Sequence, residues 1–288
     1  MINKFFLTTL LCLINISIFS QIEKRKIFAK KVSEEIVLDG EMKESFWKEA
    51  QVSSDFVQYF PRDTVSAQLE TEFRVAYDDK FLYLFAKMED ISSMKFILGD
   101  LKRDFFGGTT DYISFTFDTF QDETNGYNFG LSPYNIQREA LLSDGGEGNI
   151  TGGARRGGFG AFNINWNTKW FSGAKVHDGY WTGEFKIPFS SLRYKAGSKT
   201  WNFNSHRGNS KVNEGSIWSP IQLGFSPVNL SLTGILEFEF PLEKSSQSIV
   251  LIPYISGSGI RNKVDEPDRD SDLDVGLDMK LALSSSLN

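Results

Sequence analysis

Residues 71–87 read TEFRVAYDDKFLYLFAK, and the pattern in that stretch decides the fold class. Phe73, Val75 and Tyr77 recur at a spacing of two and share one face, while Glu72, Arg74 and Ala76 take the other. Asp78, Asp79 and Lys80 form a turn and 81–87 runs back, so the spacing predicts a β-hairpin. The same rhythm returns at 111–117 (DYISFTF), 127–131 (YNFGL), 171–176, 180–187 (YWTGEFKI) and 200–206 (TWNFNSH). Short alternating strands at this separation predict an all-β fold, an antiparallel β-sandwich of jelly-roll-like type. Pro188 cannot donate to a ladder, so the strand before it should end at Ile187, with 189–192 (FSSL) as a turn or one helical turn.

Working toward the N-terminus, 41–50 (EMKESFWKEA) places Met42, Phe46, Trp47 and Ala50 on one face at helical spacing, which predicts a short amphipathic helix. Before it, residues 1–20 carry Lys4, an apolar run over 5–19 and the small Ser20, the pattern of a cleavable secretory signal peptide. A retained anchor helix is the alternative, although Thr8, Thr9, Asn15 and Ser17 interrupt the run. Cys12 is the sole cysteine and lies in that leader, so the exported chain is expected to hold no disulfide and no thiolate. The formal net charge is −6, one unit more negative once Lys4 is lost. Such a chain offers no basic field, and nucleic acid is not expected as a partner.

Toward the C-terminus the pattern shifts. In 274–287 (DVGLDMKLALSSSL), Val275, Leu277, Met279, Leu281 and Leu283 make one wholly apolar face, while the opposite face is polar or small. A strand between lipid and a wet lumen needs that arrangement. With 249–256 (IVLIPYIS) as partner and 261–272 as connecting loop, the segment predicts the first hairpin of an outer-membrane β-barrel. A last sandwich hairpin with its polar side in water stays open as the alternative. Two strands cannot close a barrel, so the chain reads as a fragment of a longer protein. The expected organisation is a signal peptide over 1–20, the sandwich over 21–242 and the truncated barrel start over 243–288.

Chemistry-bearing motifs are sparse. His177 and His206 are the two histidines, and no motif of a nucleophilic triad or a zinc site surrounds either. His177 is expected in a hairpin turn, and His206 on the solvent side of a strand. Glu139 and Glu184 are strand carboxylates without a recognisable partner for glycosidic cleavage, so no catalysis is expected. Residues 118–125 (DTFQDETN) and 265–274 (DEPDRDSDLD) collect oxygen donors without EF-hand spacing, and a metal stays undecided. Residues 145–160 are glycine-rich and hold Arg155 and Arg156, but they lack the lysine and serine of a P-loop and follow ALLSD, a poor buried strand. A surface loop is expected there.

Trp166 and Trp170 stand four residues apart in FNINWNTKWF (162–171), among Asn163, Asn165 and Asn167. Sugar rings stack an apolar C–H face on indole while amides and charges take their hydroxyls, so this pair is the predicted carbohydrate platform, with Arg138 and Arg103 as polar companions. Placement of both indoles in the sandwich core is the alternative. Trp47 and Trp181 are expected in the core.

Leu38-Asp39-Gly40 through Phe46, Trp47 and Ala50, then Val75, Tyr77-Asp78-Asp79 and Leu82-Tyr83-Leu84, resemble the opening of a carbohydrate-binding module family 9-like domain. Trp181-Thr182, Glu184, Ile187-Pro188-Phe189 and Leu192 resemble its closing strand and turn. A narrower resemblance, to Bacteroidetes-type outer-membrane proteins with this domain ahead of a barrel, rests on Arg103-Asp104 and Asp111 before Phe117-Asp118, on Gly126-Tyr127 with Phe129-Gly130, and on Gln137-Arg138. It continues through Trp166, Trp170, Trp201, Asn213-Glu214 and Trp218-Ser219-Pro220, with Pro253-Tyr254 and Gly276-Leu277-Asp278 resembling the first barrel strands. The chain departs from that group at Tyr134-Asn135, where a small residue and glycine are usual. The resemblance implies a non-catalytic sandwich related to sugar- and haem-binding domains, with calcium sometimes structural. A polysaccharide or oligosaccharide is then the implied partner, for glycan capture or sensing. A gating domain of a transport barrel with no sugar ligand is the second reading, and part of a glycoside hydrolase the third.

Overall fold

The computed structural model describes residues 24–34, 36–63, 65–91, 96, 99, 101–105, 107–147, 161–243, 249–261 and 269–281. The signal-peptide expectation for 1–20 and most of the glycine-rich stretch, 148–160, lie outside the described residues.

The hairpin that opened the reading is present residue for residue. β3 (Thr71–Tyr77) pairs antiparallel with β4 (Phe81–Glu89). β4 continues to β10 (Tyr180–Pro188) and that to β9 (Phe171–Val176), giving a small sheet. The large sheet centres on β11 (Thr200–Asn209), flanked by β5 (Tyr112–Asp118) on one side and β13 (Gly234–Phe238) on the other. Beyond β5 follow β6 (Gly126–Leu131), β7 (Gln137–Leu142) and the short β8 (Phe162–Asn163). The far end of β11 carries β12 (Glu214–Ile217), which pairs β2 (Val57–Phe60).

The two sheets share one strand, and that strand corrects the wholly antiparallel expectation. β1 (Lys26–Lys31) runs parallel to β13 over Lys26 to Ala29, then crosses to pair Lys30 and Lys31 in parallel with Ala76 and Tyr77 of β3. Tight hairpins force antiparallel neighbours, but β1 reaches β3 only after a long connection and β13 only after most of the chain, so nothing constrains its direction.

Between the sheets lies an aromatic core. Phe73 of the small sheet meets Phe115 and Phe203 of the large one, each at 5.6 Å between ring centroids, and Phe115 meets Phe185 at 5.0 Å. Each buried phenylalanine contributes about 1.5–3 kcal/mol of transfer free energy, so this inward row holds the layers together. Trp181 is buried in the same core, as expected. On the outer side of the small sheet, α1 (Ser45–Glu49) lays Phe46 and Trp47 over Ala76, Tyr83 and Phe85. α1 is shorter than the expected 41–50 because the residues ahead of it make tertiary bonds instead. Gly40 donates its N–H to Glu184 at 2.8 Å, and the Glu44 carboxylate accepts from the Val37 N–H at 2.9 Å.

A separate two-stranded sheet pairs β14 (Ile249–Arg261) with β15 (Arg269–Leu281). β14 runs on past the expected 249–256, and β15 begins within the stretch expected as connecting loop, five residues ahead of Asp274. No helix among the described residues is long and apolar enough to cross a membrane.

Candidate functional site

The outer face of the large sheet is where the structure gathers chemistry. Register places Arg138 of β7, Gly130 of β6, Ser114 of β5 and His206 of β11 as successive neighbours in one row across four strands. The two middle members are small, so the ends of the row rise above a low floor. In the next row Tyr112, Gly208 and Gly215 are neighbours. A Cβ on Gly208 would stand 2.3 Å from the Tyr112 ring, and one on Gly215 would stand 2.5 Å from the Tyr59 ring. These glycines let the two phenol rings lie against bare backbone.

The result is a cavity of about 500 Å³, a size common for small-molecule sites. Tyr59, Tyr112, His206, Phe162 and Arg138 line its interior. His206 meets the Tyr112 ring edge-on at 5.5 Å and the Tyr59 ring at 6.5 Å. The Arg138 guanidinium lies 4.6 Å from the centre of Phe162 and 5.9 Å from those of Phe105 and Tyr112. Around the mouth, Phe60, Leu223 and Phe225 stand exposed, with Asn209, Ser210 and Asn213 as polar neighbours.

Burial sets the electrostatics. It pushes the Tyr59 phenol well above its ordinary value and raises Tyr112 as well, so both stay neutral. Burial, with the charge of Arg138 added, pulls His206 down to about 3, which leaves a neutral imidazole at physiological pH. The Arg138 charge works to lower both phenols, and burial outweighs it. Burial also lowers Arg138, but from a value so high that the guanidinium stays charged. Such a cavity can stack an apolar ligand face on its rings and bond polar groups through one cation, two phenols and the amides of the mouth.

Of the four residues expected from sequence to contact sugar, Arg138 lines this cavity. Trp170 lies elsewhere: it is buried in the core, stacked on Phe185 at 5.4 Å and 8°, and its indole N–H donates to Glu139 at 3.1 Å. Trp166 is half-buried against Tyr127 at 5.3 Å and Phe129 at 6.1 Å. Arg103 is ion-paired to Glu139 and donates to Gln137 at 2.7 Å. The structure therefore joins Trp170 and Arg103 through Glu139 on the inward side of β7, while Arg138 projects from the other side.

His206 is buried, against its expected solvent-side position, because the Tyr112 and Tyr59 rings lie edge-on against its imidazole. His177 does occupy the turn between β9 and β10, stacked on Tyr180 at 4.4 Å. Residues 140–144, which read as a poor strand, include the end of β7, where Ala140 and Leu142 pack with Val228 and Leu230. In the acidic stretch after β5, Asp118 accepts from Gln121 and Glu123 N–H groups and from the Asn202 amide, so its carboxylate braces the turn. Among the described residues no three His, Cys, Asp or Glu side chains gather as a metal site; part of 265–274 lies outside them. Tyr59, Phe60, Tyr112 and Phe225 escaped the sequence reading. The one available signal was glycine inside β11 and β12, which marks close approach.

A two-sheet sandwich with a ring-lined cavity on one sheet face is the form of a ligand-binding β-sandwich module. The chain belongs to the carbohydrate family 9 binding domain-like family, whose model matches residues 38–207. In fold it is similar to a carbohydrate binding module family 9 from Caldicellulosiruptor kristjanssonii in complex with glucose, at 15% identity and TM-score 0.51, covering 75% of this chain and 96% of that one. The cellotriose complex of a family 9 module from the same organism aligns at 14% identity and TM-score 0.51, over 75% and 94%. A candidate carbohydrate-binding protein from Bacteroides uniformis ATCC 8492 aligns at 16% identity and TM-score 0.56, over 75% and 100%. No curated protein matches the chain.

Proposed function

We propose that the chain is a non-catalytic carbohydrate-binding module whose ligand occupies the cavity on the outer face of the large sheet, and that it captures or senses glycan at the cell envelope. The observation that carries this is the cavity itself: neutral phenols and one arginine set among aromatic faces, with an exposed aromatic mouth. Burial of Trp170 alone would favour the second reading, a gating domain without a sugar ligand, since it removes the stacking surface expected from sequence. The cavity supplies another surface. Family membership and the sugar-bound relatives support the reading.

The test is a glycan array, followed by calorimetry, on the chain with Phe60→Ala and Phe225→Ala beside it. Both side chains are exposed at the mouth, so their truncation spares the core. Each is expected to weaken binding about tenfold, the scale of one ring–sugar stacking contact. Absence of binding to every neutral and acidic plant or algal glycan would defeat the sugar reading.

The envelope setting is the finer part of the proposal. The leader-like residues 1–20 support export. The exposed apolar side chains of Ile255, Leu273, Val275 and Leu277 support a lipid-facing role for the β14–β15 hairpin, as the start of an outer-membrane barrel.

A further inference from the structure

The charge balance around Arg138 narrows the ligand. Among the described residues, other cations near the core have their charged groups engaged, Arg207 by neutral acceptors without an ion pair and the others by carboxylates. Arg207, 3% exposed, donates to the Glu70 carbonyl at 3.2 Å, to the Thr71 hydroxyl at 3.0 Å and to the Glu89 carbonyl. Lys211 is ion-paired to Asp90, Arg74 to Glu72 and Arg103 to Glu139. Arg138 has no ion pair among the described residues, and its Nε has no hydrogen-bond partner there.

Among the described residues, the nearby carboxylates form no ion pair with Arg138. Glu214 is committed to Gln58 at 2.8 Å and to the Gln68 side-chain amide at 2.9 Å. Glu147 is exposed at the mouth. Asp104 accepts from the Glu139 N–H at 3.3 Å, and its charge acts on Arg138 without forming an ion pair with it. The sequence between Glu147 and Ala161, both of which line the cavity, contains no Asp or Glu. Three aromatic faces partly offset the cost of a cation held this way, and a bound anion would offset more through a paired N–H···O geometry. A site for neutral sugar alone would need only the hydroxyl and amide donors already present.

We infer that the cavity takes an acidic sugar, a uronate or a sulfated hexose, with its anionic group against Arg138. This rests on the sugar reading and adds the charge of the ligand. The experiment is calorimetry on the full chain in detergent with matched probes: glucuronate against glucose, galacturonate against galactose, galactose 6-sulfate against galactose, and inorganic sulfate alone. The acidic member of at least one pair is expected to bind about tenfold or more tightly than its neutral parent, with the advantage shrinking at high salt. The carboxylate and sulfate arms tell which anion is read. Arg138→Gln is expected to bring the acid-to-neutral ratio to about one, and Arg138→Lys to keep part of it. Equal or tighter binding of the neutral sugars overturns the acidic inference while the sugar reading stands. Binding of inorganic sulfate with no sugar overturns both. The wild-type comparison decides the matter even if an Arg138 variant fails to fold.

Discussion

At the scale of single residues, the outer side of the small sheet holds a carboxyl group with a large effect on stability. Glu184 is 1% exposed, and burial, reinforced by the charges of Glu44 and Asp39, raises its pKa from 4.5 to about 8. One oxygen accepts the Gly40 N–H; the other has no partner among the described residues. Below pH 4.5 the folded and unfolded chains both hold the proton and this stabilisation is complete. Between 4.5 and 8 only the folded chain holds it, so stability falls as pH rises, by up to about 1.4 kcal/mol per unit. Above 8 the loss is complete. Glu184→Gln copies the protonated shape without a charge, so it should raise stability at pH 8.5 by roughly 1–3 kcal/mol and leave it nearly unchanged at pH 4.5. Melting curves across that range test it; a variant whose profile runs parallel to wild type would contradict the assignment. Sequence alone marked Glu184 as a strand acid without a partner, and could not show that residues 37–44 fold over it. The Trp166 and Trp170 expectation shows the same limit. A spacing pattern says which residues share a side, not whether that side meets a ligand or the opposite sheet.

Among the elements, legibility followed the number of covered faces. β3 was readable because Phe73, Val75 and Tyr77 alternate with partly polar neighbours. β4, β9 and β10 were found with the hairpins they form. β5 and β6 were found from their aromatic rhythm, yet every residue in both is buried, so their outer faces gave no hint of a site. β7, QREALL, consists of good helix formers and was read only in part, Glu139 as a strand residue and 140–144 as a poor strand; tertiary packing of Ala140 and Leu142 overrides that propensity. β1, β2, β12 and β13 are strands of four to six residues, too short for a period to show. The site was therefore legible only through Arg138: Tyr112 and His206 lie on strands that were found but were not read as cavity walls, and the rest of the lining comes from the missed β2 and β12 and from loops. The glycine pair that makes room for the phenols gives a prediction at this scale. Gly215→Ala would drive a methyl group into the Tyr59 ring and push it into the cavity. Overpacking of this kind costs about 1–3 kcal/mol, and ligand affinity should fall in parallel; an unaltered melting temperature together with unaltered binding would show that the rings do not need bare backbone.

For the molecule as a whole, the sandwich and the C-terminal hairpin differ in whether their apolar side chains are covered. In the sandwich, apolar residues turn inward and even the outer sheet faces are covered by α1 or by loops. In the hairpin, the register pairs Ile255 with Val275 and Pro253 with Leu277 on one side, and all four are exposed. On the other side Tyr254 faces Gly276, and a Cβ on that glycine would stand 2.1 Å from the tyrosine ring, so the ring lies over bare backbone as an aromatic cover. An isolated two-stranded sheet is marginal in water, and one with an uncovered apolar face is more so. If lipid is its solvent, amide protection should divide the chain in two. In water, hydrogen exchange should show slow amides in β3, β4, β5 and β11 and fast exchange across 249–281. In micelles or bilayers the hairpin amides should slow by tenfold or more while those of the sandwich stay as they were. Slow exchange of the hairpin in water without detergent would mean that its apolar side is covered by protein, and would move β14 and β15 from the membrane to the sandwich.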